Sequence, residues 1–399
     1  MNLPFRPAPM LRQDAFLTII LLTALTSAGS LYLNFLVVII DTLQVGLGFS
    51  ALDAGLVGSA NLYGGAAGSL AAALLNRWIN WRMAITIGII ALVLSDLASI
   101  GLNGLTPLML VRFVHGIAGG IVVGAGFIVM SRTANPERTF GILLLVQVAE
   151  SGLGVYLLPA LVDQWGAAVP FAAMAIINLA TMLVIPTLPN FPVPVEHAGT
   201  KPNASARNVA PMIAIAALAI FLHQMSRHTG GSFIFGIGSS FGFSREFISS
   251  SLGLMTWLAV LGTLGPVILA NRFGRIWPVM IATAIGLIVS VLFIWGGHIP
   301  LVWWITLSVG GFVGMVNLPY FFGICSALDP SGRSSTWTAF FSKMGLAAGP
   351  TVGGLVLQET HFMRLLWVSA ALLAISVALW LWPAMSLERA RTQTEGLSN

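Results

Sequence analysis

The sequence predicts an all-α membrane protein with twelve transmembrane helices in two pseudo-symmetric six-helix bundles. Three observations predict it. Apolar stretches of about 20 to 30 residues fill nearly the whole chain, and a hydrocarbon core about 30 Å thick takes about 20 such residues to cross as a helix. Lys and Arg cluster in alternate gaps between these stretches, and short motifs recur in the second half at a near-constant offset. The spans read 15–40, 54–75, 83–102, 106–130, 140–162, 166–188, 209–240, 247–270, 277–297, 301–326, 336–357 and 362–384.

Composition excludes a water-soluble globule. The 399 residues are 57% hydrophobic and 8% charged, against roughly 25% charged in soluble domains. The mean hydropathy is +0.92. A net charge of +5 does not make a nucleic-acid binder, because the basic residues are scattered one to three per loop instead of forming a patch that could track phosphates. Cys325 is the only cysteine, which excludes an internal disulfide or a multi-cysteine metal site. Buried thiols of this kind generally pack as small hydrophobes.

The basic residues also give an orientation. Arg6, Arg12, Arg77, Arg82, Arg132, Arg138, Lys201, Arg207, Arg272, Arg275, Arg333, Arg389 and Arg391 all lie at one end of the spans. The opposite loops hold only Arg245 and Arg364. The positive-inside rule then places both termini in the cytoplasm, as an even number of crossings requires. The first span is too long for a signal-peptide core and lacks a small-residue cleavage site, so it is expected to be retained. Short loops without appended domains suggest a bacterial inner membrane and a protein acting as a monomer.

An internal duplication organises the chain. Gly48-Phe49-Ser50 recurs as Gly242-Phe243-Ser244, Asn76-Arg77 as Asn271-Arg272, and Asn135-Pro136 as Asp329-Pro330, at offsets of 194, 195 and 194. Residues 1–188 form the first bundle and 209–399 the second, the latter ending in a short cytoplasmic tail. The linker 189–208 holds Pro189, Pro192, Pro194 and Pro202, which disfavour helix. Two parallel repeats suit a secondary transporter whose solute site lies between them near mid-membrane.

The gaps Asn76-Arg77-Trp78-Ile79-Asn80-Trp81-Arg82 and Asn271-Arg272-Phe273-Gly274-Arg275 resemble the loop signature of the major facilitator superfamily. Arg112-Phe113-Val114-His115-Gly116 resembles the Arg-x-x-x-Gly motif of its proton-coupled members. The run Gly345 to Gly354, with Gly349-Pro350 inside it, resembles the Gly-Pro motif of its drug:proton antiporters. The resemblance implies two six-helix bundles, and a cavity lined by helices one, four, seven and ten. It also implies a conformational latch involving Asn76, Arg77, Arg82, Asn271, Arg272, Arg275, Gly349 and Pro350. The family's acid is Asn at both 76 and 271, and the Gly-Pro motif falls in span eleven instead of span five. Import and export therefore both stay open.

Ionisable residues within spans are where function should concentrate, among them the five Asp96, Arg112, Glu150, Arg227 and Lys343. Facing lipid, they would together cost on the order of 12–17 kcal/mol, more than a typical folding stability. They must point inward, pair, or line water. Helical rise places Asp96 and Arg112 about six residues below the outer ends of their spans, and Glu150 roughly 20 Å above its inner end. All three share one level, so Arg112 is expected to be held jointly by Asp96 and Glu150, as a structural pair or as part of proton coupling. Glu150 is the first candidate for coupling, because a carboxylate that alternately meets and leaves an Arg can bind and release a proton.

Lys343 is the duplication partner of Glu150. It lies off the ridge Gly345, Gly349, Gly353, and either contacts solute or bridges the halves. Span seven carries the polar patch His223 to Thr229 followed by Gly230-Gly231, matched in span one by Thr26-Ser27-Ala28-Gly29-Ser30. Paired interrupted helices point to a transport site. Arg227, His223, Gln224, Lys343, Tyr32, Asn34, His115, Asn317 and Tyr320 are the candidate solute ligands, though each alone could serve as an interhelical hydrogen bond. The tally leans basic, and a positive low-dielectric cavity concentrates anions. The expected function is therefore proton-coupled carriage of a small organic anion or carboxylate by alternating access.

The main alternative is a proton-antiport drug exporter, and a receptor is a distant one. No His-x-x-x-His pair, carboxylate cluster, phosphate loop or serine elbow supports an enzyme, and no Walker lysine supports ATP as the energy source. The expected partners are solute, protons and lipid, with no cofactor and no nucleic acid.

Overall fold

The computed structural model describes residues 15–75, 80–189, 191, 206–269, 276–328, 333–358 and 362–397. The first bundle comprises α1 (Phe16–Ala28), α2 (Leu31–Asn34), α3 (Leu36–Leu47), α4 (Ala51–Leu75), α5 (Trp81–Ile100), α6 (Leu105–Met130), α7 (Pro136–Trp165) and α8 (Val169–Met182). The second comprises α9 (Ala206–Gly231), α10 (Ile234–Ser240), α11 (Arg245–Leu269), α12 (Ile276–Gly296), α13 (Pro300–Leu328), α14 (Arg333–Leu357) and α15 (Phe362–Leu397). Among the described residues, nine helices are long and apolar enough to cross a membrane. The other three passes are the broken first one (α1 to α3), the glycine- and alanine-rich α4, and α11. The protein is an integral multi-pass membrane protein. α15 runs on to Leu397, so the tail expected after residue 384 continues as helix. α9 begins at Ala206, inside the expected linker.

The duplicated motif has one structural job in both halves. Gly48 closes α3 at φ +70°, and Gly242 follows α10 at φ +85°. Both are left-handed, where a side chain is strained. The serine two residues on caps the next helix: Ser50 Oγ accepts from the Asp53 N–H at 3.1 Å, and Ser244 Oγ from the Phe247 N–H at 3.2 Å.

Spans one and seven are both broken where their polar patches lie. α1 stops at Ala28, with Gly29 and Ser30 in a turn; α9 stops at Gly231, with Ser232 and Phe233 between it and α10. Thr26 and Thr229 hydroxyls donate back to the carbonyls of Leu22 and Met225, which loosens the helix just before each break. Gly29 is needed for packing as well, since a Cβ there would stand 2.5 Å from the Gly119 carbonyl oxygen.

Small residues bring the central helices together. Gly116, Gly120 and Gly124 of α6 lie on α4, each with no room for a Cβ against the Asn61 carbonyl, the Gly65 carbonyl and the Ala72 side chain. Gly345, Gly349 and Gly353 of α14 meet Phe221, His228 and Thr229 of α9 in the same way.

The two ends of the bundle are packed differently. Away from the termini, one hydrophobic core joins both halves, from Leu31, Phe35, Ile39 and Phe171 to Phe233, Ile237, Ile248 and Trp303. Near the termini there are two cores. One holds Leu22, Leu25, Ile89 and Val129, and the other Ile220, Phe321, Cys325 and Trp380.

Candidate functional site

Asp96 and Arg112 form a closed, fully buried clasp. Arg112 Nη1 donates to Asp96 Oδ1 at 2.8 Å and Nη2 to the Ser95 carbonyl at 2.5 Å. The guanidinium lies over Phe171 and Tyr32, at 5.0 and 5.8 Å from their ring centres. The geometry also fixes the protonation of His115. Asn61 Nδ2 donates to the Arg112 carbonyl at 3.0 Å, so the same amide nitrogen is the donor to His115 Nδ1 at 2.8 Å. The imidazole proton then sits on Nε2, 3.2 Å from Asp96 Oδ1. Asn178 closes the far side of Asp96 at 3.4 Å.

Glu150 is elsewhere, which corrects the expected three-way cluster. Its Oε2 accepts from Ser27 Oγ at 2.5 Å and from Asn34 Nδ2 at 2.9 Å, tying together the two sides of the break in the first pass. Gln147, one turn earlier on α7, donates to Ser30 Oγ at 3.2 Å, and Ser151 to the Asn34 carbonyl at 3.0 Å. Helical rise speaks to depth along a helix and says nothing of direction around its axis. Arg112 turns to Asp96 and Ser95 of α5, between Phe171 and Tyr32, whereas Glu150 turns to Ser27 of α1 and Asn34 of α2. Among the described residues Glu150 forms no ion pair.

Two cavities flank the broken first pass. The larger, about 380 Å³, is lined by His223, Ser226, Arg227, His228 and Asn317 of the second half, and by Leu33, Leu36 and Val37 of the first. Arg227 reaches α13 with its Nη1 end: a Cβ at Gly314 would collide with that nitrogen. The smaller, about 170 Å³, is lined by Tyr32, Asn61, Ser69, Gln147 and Lys343. Lys343 Nζ donates to Ser69 Oγ at 2.5 Å across the two halves, a neutral contact where one alternative had a salt bridge.

Of the sequence candidates, His223, Arg227 and Asn317 thus share the larger cavity, and Tyr32 and Lys343 the smaller. Gln224, Asn34, His115 and Tyr320 line neither. Gln224 gives its carbonyl to His228 Nδ1 at 3.0 Å, and Tyr320 packs in the second bundle's own core. Helices one, seven and ten line the larger cavity as expected, but helix four lines only the smaller. His228, Ser369, Ser69 and Gln147 were missed. Of these, His228 stood inside the polar patch and Gln147 one turn from Glu150, so both carried a signal.

The latch residues are only partly visible. Asn76, Arg77, Asn271, Arg272 and Arg275 lie outside the described residues. Arg82 stacks on Trp81 at 5.2 Å and bonds the Leu188 carbonyl within its own bundle. Gly349 packs on His228, while the Pro350 carbonyl abuts Gly55 of α4, so the Gly-Pro pair lies on the seam between halves. A junction the sequence did not reveal lies nearby. Arg245, at the start of α11, bridges Asp41 of α3 and Asp163 of α7.

Two helical bundles enclose cavities lined by charged side chains, the architecture of a membrane transporter. The chain belongs to the Major Facilitator Superfamily, whose profile matches residues 19–342. A point mutant of nucleoside transporter NupG is similar in structure at 14% identity and a TM-score of 0.77, covering 93% of this chain and 100% of that one. A D-xylose-proton symporter is similar at 12% identity and 0.72, covering 91% and 97%. NupG itself gives 14% and 0.73 over 94% and 99%. At such identities the likeness speaks for the fold alone. No curated protein sequence matches.

Proposed function

We propose that this secondary transporter carries a small organic anion coupled to protons, by rocking its two bundles about the cavities. The observation that carries the reading is the charge arrangement. Glu150 bridges the broken first pass without a cation, and Arg227 and Lys343 stand in cavities without a carboxylate partner among the described residues. An unpaired carboxylate at a helix break can take and release a proton as the break rearranges, and unpaired cations in low dielectric attract anions. Asp96 and Arg112 neutralise each other, line neither cavity and hold the bundle together. The named neighbours, a nucleoside transporter and a proton symporter, give precedent for solute and proton carriage on this fold.

In this reading residues 1–188 and 209–399 are the moving units and 189–208 the linker, with both termini in the cytoplasm of a bacterial inner membrane. The packed end then faces outward, so the structure is an inward-facing state. The protein works as a monomer. The drug-exporter reading has one observation in its favour, the apolar wall of Leu33, Leu36 and Phe293 in the larger cavity.

Proteoliposomes with an imposed proton gradient test the proposal. Glu150→Gln is expected to abolish gradient-driven accumulation of an organic anion while leaving counterflow partly intact. Unchanged pH dependence in that variant removes Glu150 from the mechanism. Neutral or cationic compounds outcompeting carboxylates in uptake would overturn the anion assignment in favour of export of drugs.

A further inference from the structure

We infer that the transported anion is a dianion, an α,ω-dicarboxylate with an apolar middle, which the two cavities hold at its two ends. The inference rests on the organic-anion reading and refines it.

The two cavities are neighbours, not alternatives. Leu33 is the one residue that lines both, and it sits on α2, the four-residue fragment between the two breaks of the first pass. Leu33 is 36% exposed although it lies within a membrane pass, because it borders open space on either side. Each cavity holds one cation, Arg227 in the larger and Lys343 in the smaller, and among the described residues neither forms an ion pair.

Two uncompensated cations in a low-dielectric interior favour two negative charges over one. Their chemistry suits carboxylates. The planar Arg227 guanidinium, its Nη1 set against Gly314, can meet a carboxylate with two parallel bonds, while the Lys343 ammonium, with a bond to Ser69 already made, offers a point charge. Each has a neutral donor beside it, His223 near Arg227 and the second amide hydrogen of Gln147 near Lys343. Between them the ligand must cross Leu33, an apolar sill that leaves a hydroxyl or charge unpaired and accepts methylenes. A solute with acids at both ends and a hydrocarbon spacer satisfies all three regions at once.

The test is a titration of the purified full-length protein, reading thermal stabilisation with succinate, glutarate and adipate, their monomethyl esters, and monocarboxylates of matched length. One diacid is expected to bind about ten- to hundredfold more tightly than its monoester, the value of one charged hydrogen-bonded contact. Lys343→Gln should bring the diacid down to the monoester's affinity, and Lys343→Arg should retain the preference. Leu33→Ala should shift the preferred spacer length. If Lys343→Gln does not fold, the diacid-to-monoester ratio of the unaltered protein and the Leu33→Ala length shift decide the matter.

Equal affinity for diacid and monoester overturns the dianion while leaving a single-anion carrier standing. Tighter binding of neutral solutes than of any acid overturns both readings. No stabilisation by any diacid at millimolar concentration likewise sinks the dicarboxylate.

Discussion

The end of the bundle near the termini and the end away from them are built from the same twelve passes, yet they hold together differently. At the far end a single apolar core crosses the seam, Gly55 and Gly354 let backbone meet backbone between α4 and α14, Ser59 Oγ accepts from the Thr351 N–H and hydroxyl at 3.0 and 2.7 Å, and Arg245 clasps two carboxylates of the other half. At the terminal end each half keeps its own core. In the proposed rocking mechanism the far end is the closed gate of this state. Moving between states means exchanging which end carries the cross-seam contacts, and it is the contacts that can be broken cheaply which belong at the gate.

The strongest way to break this contrast is bulk at the seam. Gly55→Leu would drive a side chain into the Pro350 carbonyl. Overpacking of this kind costs about 1–3 kcal/mol, enough to shift the equilibrium between states by about five- to a hundredfold toward far-end opening. Single engineered cysteines report it directly, since Cys325 is buried and adds little background. Labelling should rise near residue 48 and fall near residue 131, with transport largely lost. Labelling that stays at the unaltered level at both positions would show that the seam does not set the state.

Arg245→Ala should act the same way but less. A partly exposed ion bridge is worth about 0–1 kcal/mol per pair, so far-end labelling should rise by a few fold and by less at high salt. An identical increase at all ionic strengths would mean that the arginine acts through packing. Ser59→Ala is a change of similar size to Arg245→Ala, without the salt dependence. Removing the acceptor for Thr351 should cost about 0.5–1.5 kcal/mol of closed-state stability, read as a small rise in the same labelling. An effect larger than that of Gly55→Leu would reverse the order on which the comparison rests.

The sequence carried the architecture because membrane crossing is written in length and polarity. All twelve predicted spans correspond to helical passes, and the two polar interruptions lie where the helices break. The repeated Gly-Phe-Ser motif proved to be one turn-and-cap device used twice. The lateral partners were hidden. Depth along a helix follows from residue count, but facing depends on which neighbour each helix meets, so Glu150 was placed beside Arg112 and found beside Ser27 and Asn34. Arg245 looked like a stray positive charge in an outer loop, and nothing in the chain linked it to Asp41 and Asp163, 204 and 82 residues away.

The divided cores have a thermodynamic corollary. A cavity made at Phe321 and another at Val129 lie in separate clusters, so their penalties should simply add, whereas cavities at Phe293 and Trp303, whose rings lie 5.5 Å apart, should show non-additive coupling. Unfolding of such a molecule need not be a single event: two sub-assemblies can melt with some independence at one face while remaining yoked at the other.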